Sequence, residues 1–226
     1  IINFTDCDIF MGTNAKIVGS GPGRAITFNE SRISSCTSQM WDGIYLSNPS
    51  QSITINNNST LNDCKNCITT SREANVTCVE STFGNFNKAF VFTDYDLPAD
   101  ILITENAFNG STNLPSPFSG LETECIISID DVKEITIGDL SSNENEFNTA
   151  KIGILGINSD IYVKNNDFSA ISENSIKTSN VSSFDLRLWP ANSVEVTSNE
   201  FSNCISGINS SNMNCAIFVS VRPTTY

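Results

Sequence analysis

The chain has 226 residues, a net charge of −13 and no histidine, and only 16% of its residues are charged. This acidic balance excludes the basic footprint of a nucleic-acid binder and any attraction to an anionic membrane surface. No apolar run approaches the roughly 20 residues of a membrane span. The longest runs, such as Ala89-Phe90-Val91-Phe92, have the length of a strand. No shift in composition divides the chain, so residues 1–226 are read as one domain. The opening Ile1-Ile2-Asn3-Phe4 has neither Met nor a basic and apolar leader. The expectation is a removed targeting segment or an excerpt of a longer polypeptide.

One phrase recurs from beginning to end. It starts with a β-branched alternating triplet: Ile2-Asn3-Phe4, Ile26-Thr27-Phe28, Ile53-Thr54-Ile55, Val76-Thr77-Cys78, Ile101-Leu102-Ile103, Ile135-Thr136-Ile137, Ile161-Tyr162-Val163 and Val194-Glu195-Val196. Successive starts lie 23 to 34 residues apart. Each triplet is followed by one bulky apolar residue, in order Ile9, Ile33, Leu61, Phe83, Phe108, Phe147, Phe168 and Phe201. The interval is constant except at Leu61 and at Phe147, where Gly138 to Ser142 is a local insertion. Ser81, Asn106, Asn145, Asn166 and Asn199 each stand two residues before their follower. A third apolar segment closes each unit: Gly43–Leu46, Cys67–Ile68, Ala89–Phe92, Cys125–Ile129, Ile152–Leu155, Phe184–Leu188 and Ala216–Val219. Two insertions, Asn109 to Thr123 and Ser172 to Ser183, break the period and are expected to project from the stack.

Three short strands in about 25 residues make one turn of a solenoid. Alternation directs Ile, Val and Phe inward and Thr outward, and successive turns pair at roughly 4.8 Å. No segment carries the helical apolar period. The predicted fold is all-β, a single-stranded right-handed parallel β-helix of about seven to eight rungs with three strands per rung. A β-sandwich would explain the alternation but not the fixed follower.

Units such as Ile101-Leu102-Ile103-Thr104-Glu105-Asn106-Ala107-Phe108 and Val194-Glu195-Val196-Thr197-Ser198-Asn199-Glu200-Phe201 resemble the repeats of the pectate-lyase-like superfamily. They most resemble the non-catalytic repeats of large secreted bacterial surface proteins, and the resemblance covers essentially the whole chain. It implies a structural or adhesive segment (rod, stalk or adhesin), extracellular or at the cell surface. The partners it implies are further repeats or other copies stacked end to end, and a surface glycan or protein. That superfold also hosts enzymes and tailspikes, so the alternatives are an acidic-polysaccharide lyase and a viral tailspike-type glycan binder. The polygalacturonase-like set (Asn-Thr-Asp, Asp-Asp, Gly-His-Gly, Arg-x-Lys) is missing as a set, with Asp130-Asp131 its one match.

The repeat also gives a reading of the cysteines. Cys36, Cys64 and Cys204 each fall three residues after a follower and are expected in one inward column. Cys67 and Cys125 stand before third strands. The expectation is mostly free, buried thiols acting as small apolar fillers. The competing bridges are Cys36–Cys64 and Cys204–Cys215. Cys64-Lys65-Asn66-Cys67 lacks the second pair or the histidines that a zinc site needs, and it lacks the βαβ setting of a redox motif. The Asn before each Phe sits where the chain bends, and stacked copies are expected to form a ladder.

Outward positions supply the candidate site residues. Tyr162, Lys164 and Glu195 fall on adjacent turns of one face. A lyase could use Tyr or Lys as a base, with a carboxylate or Ca²⁺ neutralising the substrate acid. The competing reading is a solvated Lys–Glu pair. Asp100, Glu134 and Asp160 each precede a triplet and are expected to stack as a like-charge column. Asp94, Asp96, Asp130 and Asp131 lie in the turns just before. A structural Ca²⁺ would relieve the repulsion with oxygen ligands, and a solvated acidic edge is the alternative. No other cofactor is expected. Trp41, Trp189 and Tyr95 are candidate exposed aromatics for sugar stacking, or else edge packing over the stack.

Overall fold

The computed structural model describes residues 1–98, 100–179, 194–211 and 217–221, none of them helical. They form a β-solenoid of about seven turns in which every ladder is parallel. This is a parallel β-helix repeat protein.

The first face begins as a five-stranded sheet of Ile2–Thr5, Ala25–Asn29, Ser52–Asn56, Asn75–Val79 and Ile101–Thr104. It resumes with Ile135–Ile137, Ile161–Lys164, Val194–Ser202 and Ile217–Val221. The followers form the second face in unbroken register, Ile9 on Ile33, Leu61, Phe83, Phe108, Phe147, Phe168 and Phe201. Ile33 through Phe168 in that column are fully buried. The phenyl rings stack at 5.0, 5.0, 4.7 and 5.3 Å from Phe83 to Phe201. Parallel in-register pairing puts identical side chains one above another, so one choice of residue repeats its packing at every level.

The corner between the first and second faces is turned through left-handed residues: Asp6, Glu30, Asn57 with Asn58, Glu80, Glu105, Gly138, Asn165 and Ser198 all have positive φ. Asp and Asn tolerate that conformation better than most residues. Just after it lies the expected ladder. Ser31 N donates to Ser59 Oγ (3.1 Å) and Ser81 N to Asn106 Oδ1 (3.0 Å). Asn106 N donates to Asn145 Oδ1 (3.0 Å), Asn145 Nδ2 to Asn166 Oδ1 (2.8 Å), and Asn166 N to Asn199 Oδ1 (2.9 Å). The Asn106, Asn166 and Asn199 amides also donate to carbonyls two residues back, across the bend itself. These side chains are buried, so each supplies hydrogen bonds that water cannot.

Several expectations need correction. Strand Ile217–Val221 does not close a unit. It pairs with Val194–Thr197 and opens a further turn on the first face, and the third strand of the preceding turn is Ile208–Ser211. Residues 172–179 do not project either. The single strand Asn166–Ser179 runs round a corner, and its second half lies in register with Ile152–Ile157. Phe184–Leu188 and the rest of that insertion lie outside the described residues. The Asn109 to Thr123 insertion is real, but it lies back along the stack. Ser116 O accepts from Met40 N (2.8 Å), and Glu122 accepts from Ser172 Oγ (2.6 Å).

The aromatics and cysteines differ too. Trp41 is fully buried and bridges to Cys64 in register. It takes the inward corner place expected for Cys36, which is exposed. The indole Nε1 donates to Asn62 O (2.8 Å), which makes burial of this ring tolerable. Tyr95 is buried as well, its hydroxyl donating to Ala74 O (2.8 Å) and paired with Thr70 Oγ1 (2.7 Å). Edge packing is thus the reading that holds for both, and Trp189 lies outside the described residues. Cys64 and Cys67 are not free but joined in a disulfide, and the Cys36–Cys64 bridge does not form. Their CxxC spans the second corner, where three residues of separation bring the two sulfurs together. Gly43 packs against this corner with φ of 114°, and a Cβ there would lie 1.6 Å from Asn66 O. Cys78 and Cys125 are buried thiols as expected, and burial pushes the Cys125 thiol up to about 12. Cys204 is half-buried, and Cys215 lies outside the described residues.

The ladder yields a direct test. Asn145→Ala strips two donors and an acceptor from a fully buried site, taking the partner from the Asn106 backbone N–H and from Asn166 Oδ1. Denaturant unfolding should show a loss of about 2–4 kcal/mol. The exposed Asn113→Ala should change stability by less than about 0.5 kcal/mol.

Candidate functional site: the first face and its seam

Alternation on the first face sends one residue per turn to the exterior, and register stacks them. The column runs Asn3, Thr27, Thr54, Thr77 and Leu102, then Thr136 and Tyr162. Tyr162 and Lys164 share strand Ile161–Lys164, with the Lys164 ammonium 5.3 Å from the Tyr162 ring centroid. That is cation–π distance. Backbone register places Glu195 beside Tyr162, while its side chain lies outside the described residues. The three sequence candidates are therefore brought to one face. In the neighbouring outward column, Thr104 and Gly138 are buried rather than exposed.

The acidic candidates do not form one group. Asp94 and Asp131 are left-handed corner residues between the third and first faces, and Asp130 is the exposed strand residue before the second of these corners. The Asp130 carboxyl is held above the usual range, first by partial burial, then by Asp131 and Asp94. The Asp96 amide donates to Glu73 Oε1 (2.6 Å). The Asp100 and Asp160 carbonyls accept from Val76 N and Ile135 N. Glu134 and Asp160 precede paired strands, but the ladder is interrupted between Ile101 and Ile135, so Asp100 is not continuous with them. Among the described residues, no three His, Cys, Asp or Glu side chains are grouped so as to hold a metal ion.

A different carboxylate stack went unnoticed in the sequence. On the second face Glu146, Asp167 and Glu200 lie in register on three consecutive turns. The Asp167 carboxyl is raised by burial first, then by Glu200, Glu144 and Glu146, and its Oδ1 is buried without a partner. The signal was present in the residue between Asn and Phe in each unit.

The interruption of the first face is the other feature missed. Between Ile101–Thr104 and Ile135–Ile137 no ladder forms, and Gly138 N donates to Ile103 O (3.0 Å) at one end. Beside that bond the two strands bound a cleft of about 290 Å³. Ile101, Leu102, Thr136, Asp139, Leu140 and Lys164 line it. Ile101 is half-buried there, whereas Ile53, Val76, Ile135 and Ile161 at the same register position are buried. The Gly138 to Ser142 insertion forms one wall. Gly138 has φ of 86°, and a Cβ on it would fall 1.9 Å from Lys164 O. The Asp139 carboxylate accepts from Ser141 N (3.1 Å) and Ser141 Oγ (2.8 Å). Those bonds, then Lys164, hold it below the usual carboxylate range. The sign of this insertion in the sequence was the long interval before Phe147.

Compared with protein-family models, curated proteins and solved structures, the chain finds no match. Its class therefore rests on the architecture alone.

The carboxylate stack makes a prediction. A carboxyl raised in the folded state binds its proton more tightly folded than unfolded, so its contribution falls as pH rises from the ordinary Asp range through the raised value. Asp167→Asn should therefore stabilise the protein at pH 7, by under about 1 kcal/mol given solvent screening. It should also flatten the loss of stability between acid and neutral pH. Thermal unfolding across that range checks both.

Proposed function

We propose that this chain is a non-catalytic structural segment of a secreted or cell-surface repeat protein, a rigid stalk or adhesive rod. The observation that carries the reading is the interior column from Ile9 to Phe201, in register through every turn. A buried amide and hydroxyl ladder runs alongside it. Such a stack holds length and shape without a hinge. The exterior of the first face is largely Thr and Asn, which hydrate well and do not transfer protons near neutral pH. The Cys64–Cys67 disulfide supports maturation in an oxidising compartment.

The first turn also supports stacking as the mode of association. Strands Ile2–Thr5, Asp8–Met11 and Lys16–Val18 each pair on one side only among the described residues. Phe4, Ile9, Met11 and Ile17 are only partly covered there. An unpaired parallel edge over an apolar interior is matched by a turn of the same shape from another copy.

Two measurements test the reading. Sedimentation at rising concentration should show end-to-end oligomers, and a stable monomer at high concentration would count against stacking. Incubation with acidic polysaccharides should give no rise in unsaturated-product absorbance. A rise that Tyr162→Phe or Lys164→Ala abolishes would replace the rod with a lyase.

A further inference from the structure

We propose that the seam cleft on the first face is a binding subsite for one ring of a neutral saccharide. The rod reading stands with or without it. The cleft lies at the interruption of the ladder on that face. Where the ladder between Ile101–Thr104 and Ile135–Ile137 is missing, strand edges that elsewhere bond each other border open space. Such edges are ready-made partners for ligand hydroxyls.

The chemistry of the lining is mixed in the way a sugar ring is mixed. A pyranose has a C–H surface and a rim of hydroxyls. In the cleft, Leu102 and Leu140 are 44% and 59% exposed, an apolar pair left uncovered on a face otherwise rich in Thr and Asn. Beside them stand Asp139, an acceptor, Lys164, a donor, and Thr136, which is both. A carboxylate and an ammonium together can bind vicinal hydroxyls, one accepting and the other donating. At about 290 Å³ the cleft is at the small end of ligand-pocket sizes, which suits one ring held in a longer chain that passes along the face.

The site is set before any ligand arrives. Asp139 is fixed by Ser141, and Lys164 lies over the Tyr162 ring. The wall itself needs glycine at position 138. Its order also extends below: Glu105 accepts from Asn143 N and Nδ2, tying the far end of the turn to the neighbouring corner. Preorganised polar groups lose less on binding than mobile ones.

Charge selects the neutral class. Asp139 is held ionised beside Lys164, so the pair has no net charge to offer an acid. The chain as a whole carries −13. A uronate or sialic acid would gain no net attraction from that pair and would meet repulsion over the acidic surface, whereas an uncharged hexose would not.

An array of neutral and acidic oligosaccharides, followed by calorimetry on the strongest neutral binder, tests this. Asp139→Asn should weaken that binder about tenfold or more through loss of a charged acceptor. Leu140→Ala should weaken it about three- to tenfold through loss of apolar contact. Both residues are exposed, so the variants should fold, and Asn113→Ala, remote on the surface, should bind as the unmodified chain does. The proposal fails if no neutral glycan binds, or if binding is indifferent to both cleft substitutions. It also fails if acidic glycans bind best and Asp139→Asn strengthens them.

Discussion

No single turn of this chain can bury its own apolar side, so register between turns holds the molecule together. Three parallel ladders per turn set that register through the backbone, and the ladder of Ser and Asn at the first corner pins it through side chains. A slip by one residue would carry every Ile and Phe to the outside. It would also leave a row of buried amides without partners, at a cost charged once per turn. Specificity in this fold is therefore cumulative. The same contact, repeated, makes the correct stacking far better than any neighbour.

The same repetition governs the electrostatics. In-register stacking superimposes like on like, which suits Phe on Phe but not Asp on Glu. The chain meets this in two ways. Where acids occupy the left-handed corners, as at Asp6, Glu30 and Glu80, they stand exposed at a bend. Where they occupy a strand, as at Glu146, Asp167 and Glu200, repulsion and partial burial act together, and the middle carboxyl is raised. An acidic chain can thus form a close stack provided its carboxylates are kept mainly at corners.

Departures from the period are where the molecule acquires individual features. The Asn109 to Thr123 insertion runs back over the second corner, and its Ser116 pairs with Met40 beside the buried Trp41. At the same corner the Cys64–Cys67 disulfide replaces the usual packing of free side chains. Beside the Gly138 to Ser142 insertion the first-face ladder is interrupted between Ile101–Thr104 and Ile135–Ile137, which opens the seam beside Leu102 and Lys164. A regular solenoid has no concave surface of its own on a flat face. Here a break in the ladder makes one.

Most of the architecture was readable from residue order, because alternation and a constant interval to the bulky follower are one-dimensional signals. The triplets, the followers and the Asn ladder all appear where that pattern puts them, as do the outward positions of Tyr162 and Lys164. The period could not say how the chain travels where it is broken. Trp41 rather than Cys36 takes the inward corner, Tyr95 turns in to meet Ala74, and Ile217–Val221 begins a turn instead of ending one. Residues 172–179 break the sequence period, yet they continue a strand round a bend. Each of these outcomes depends on which neighbour from another turn fills the adjacent space. The disulfide likewise required two sulfurs to meet across a corner, and the cleft required two strands to separate. Periodicity specifies which side chains share a column, whereas closure of corners and filling of gaps are decided by contacts between turns, which only the assembled stack supplies.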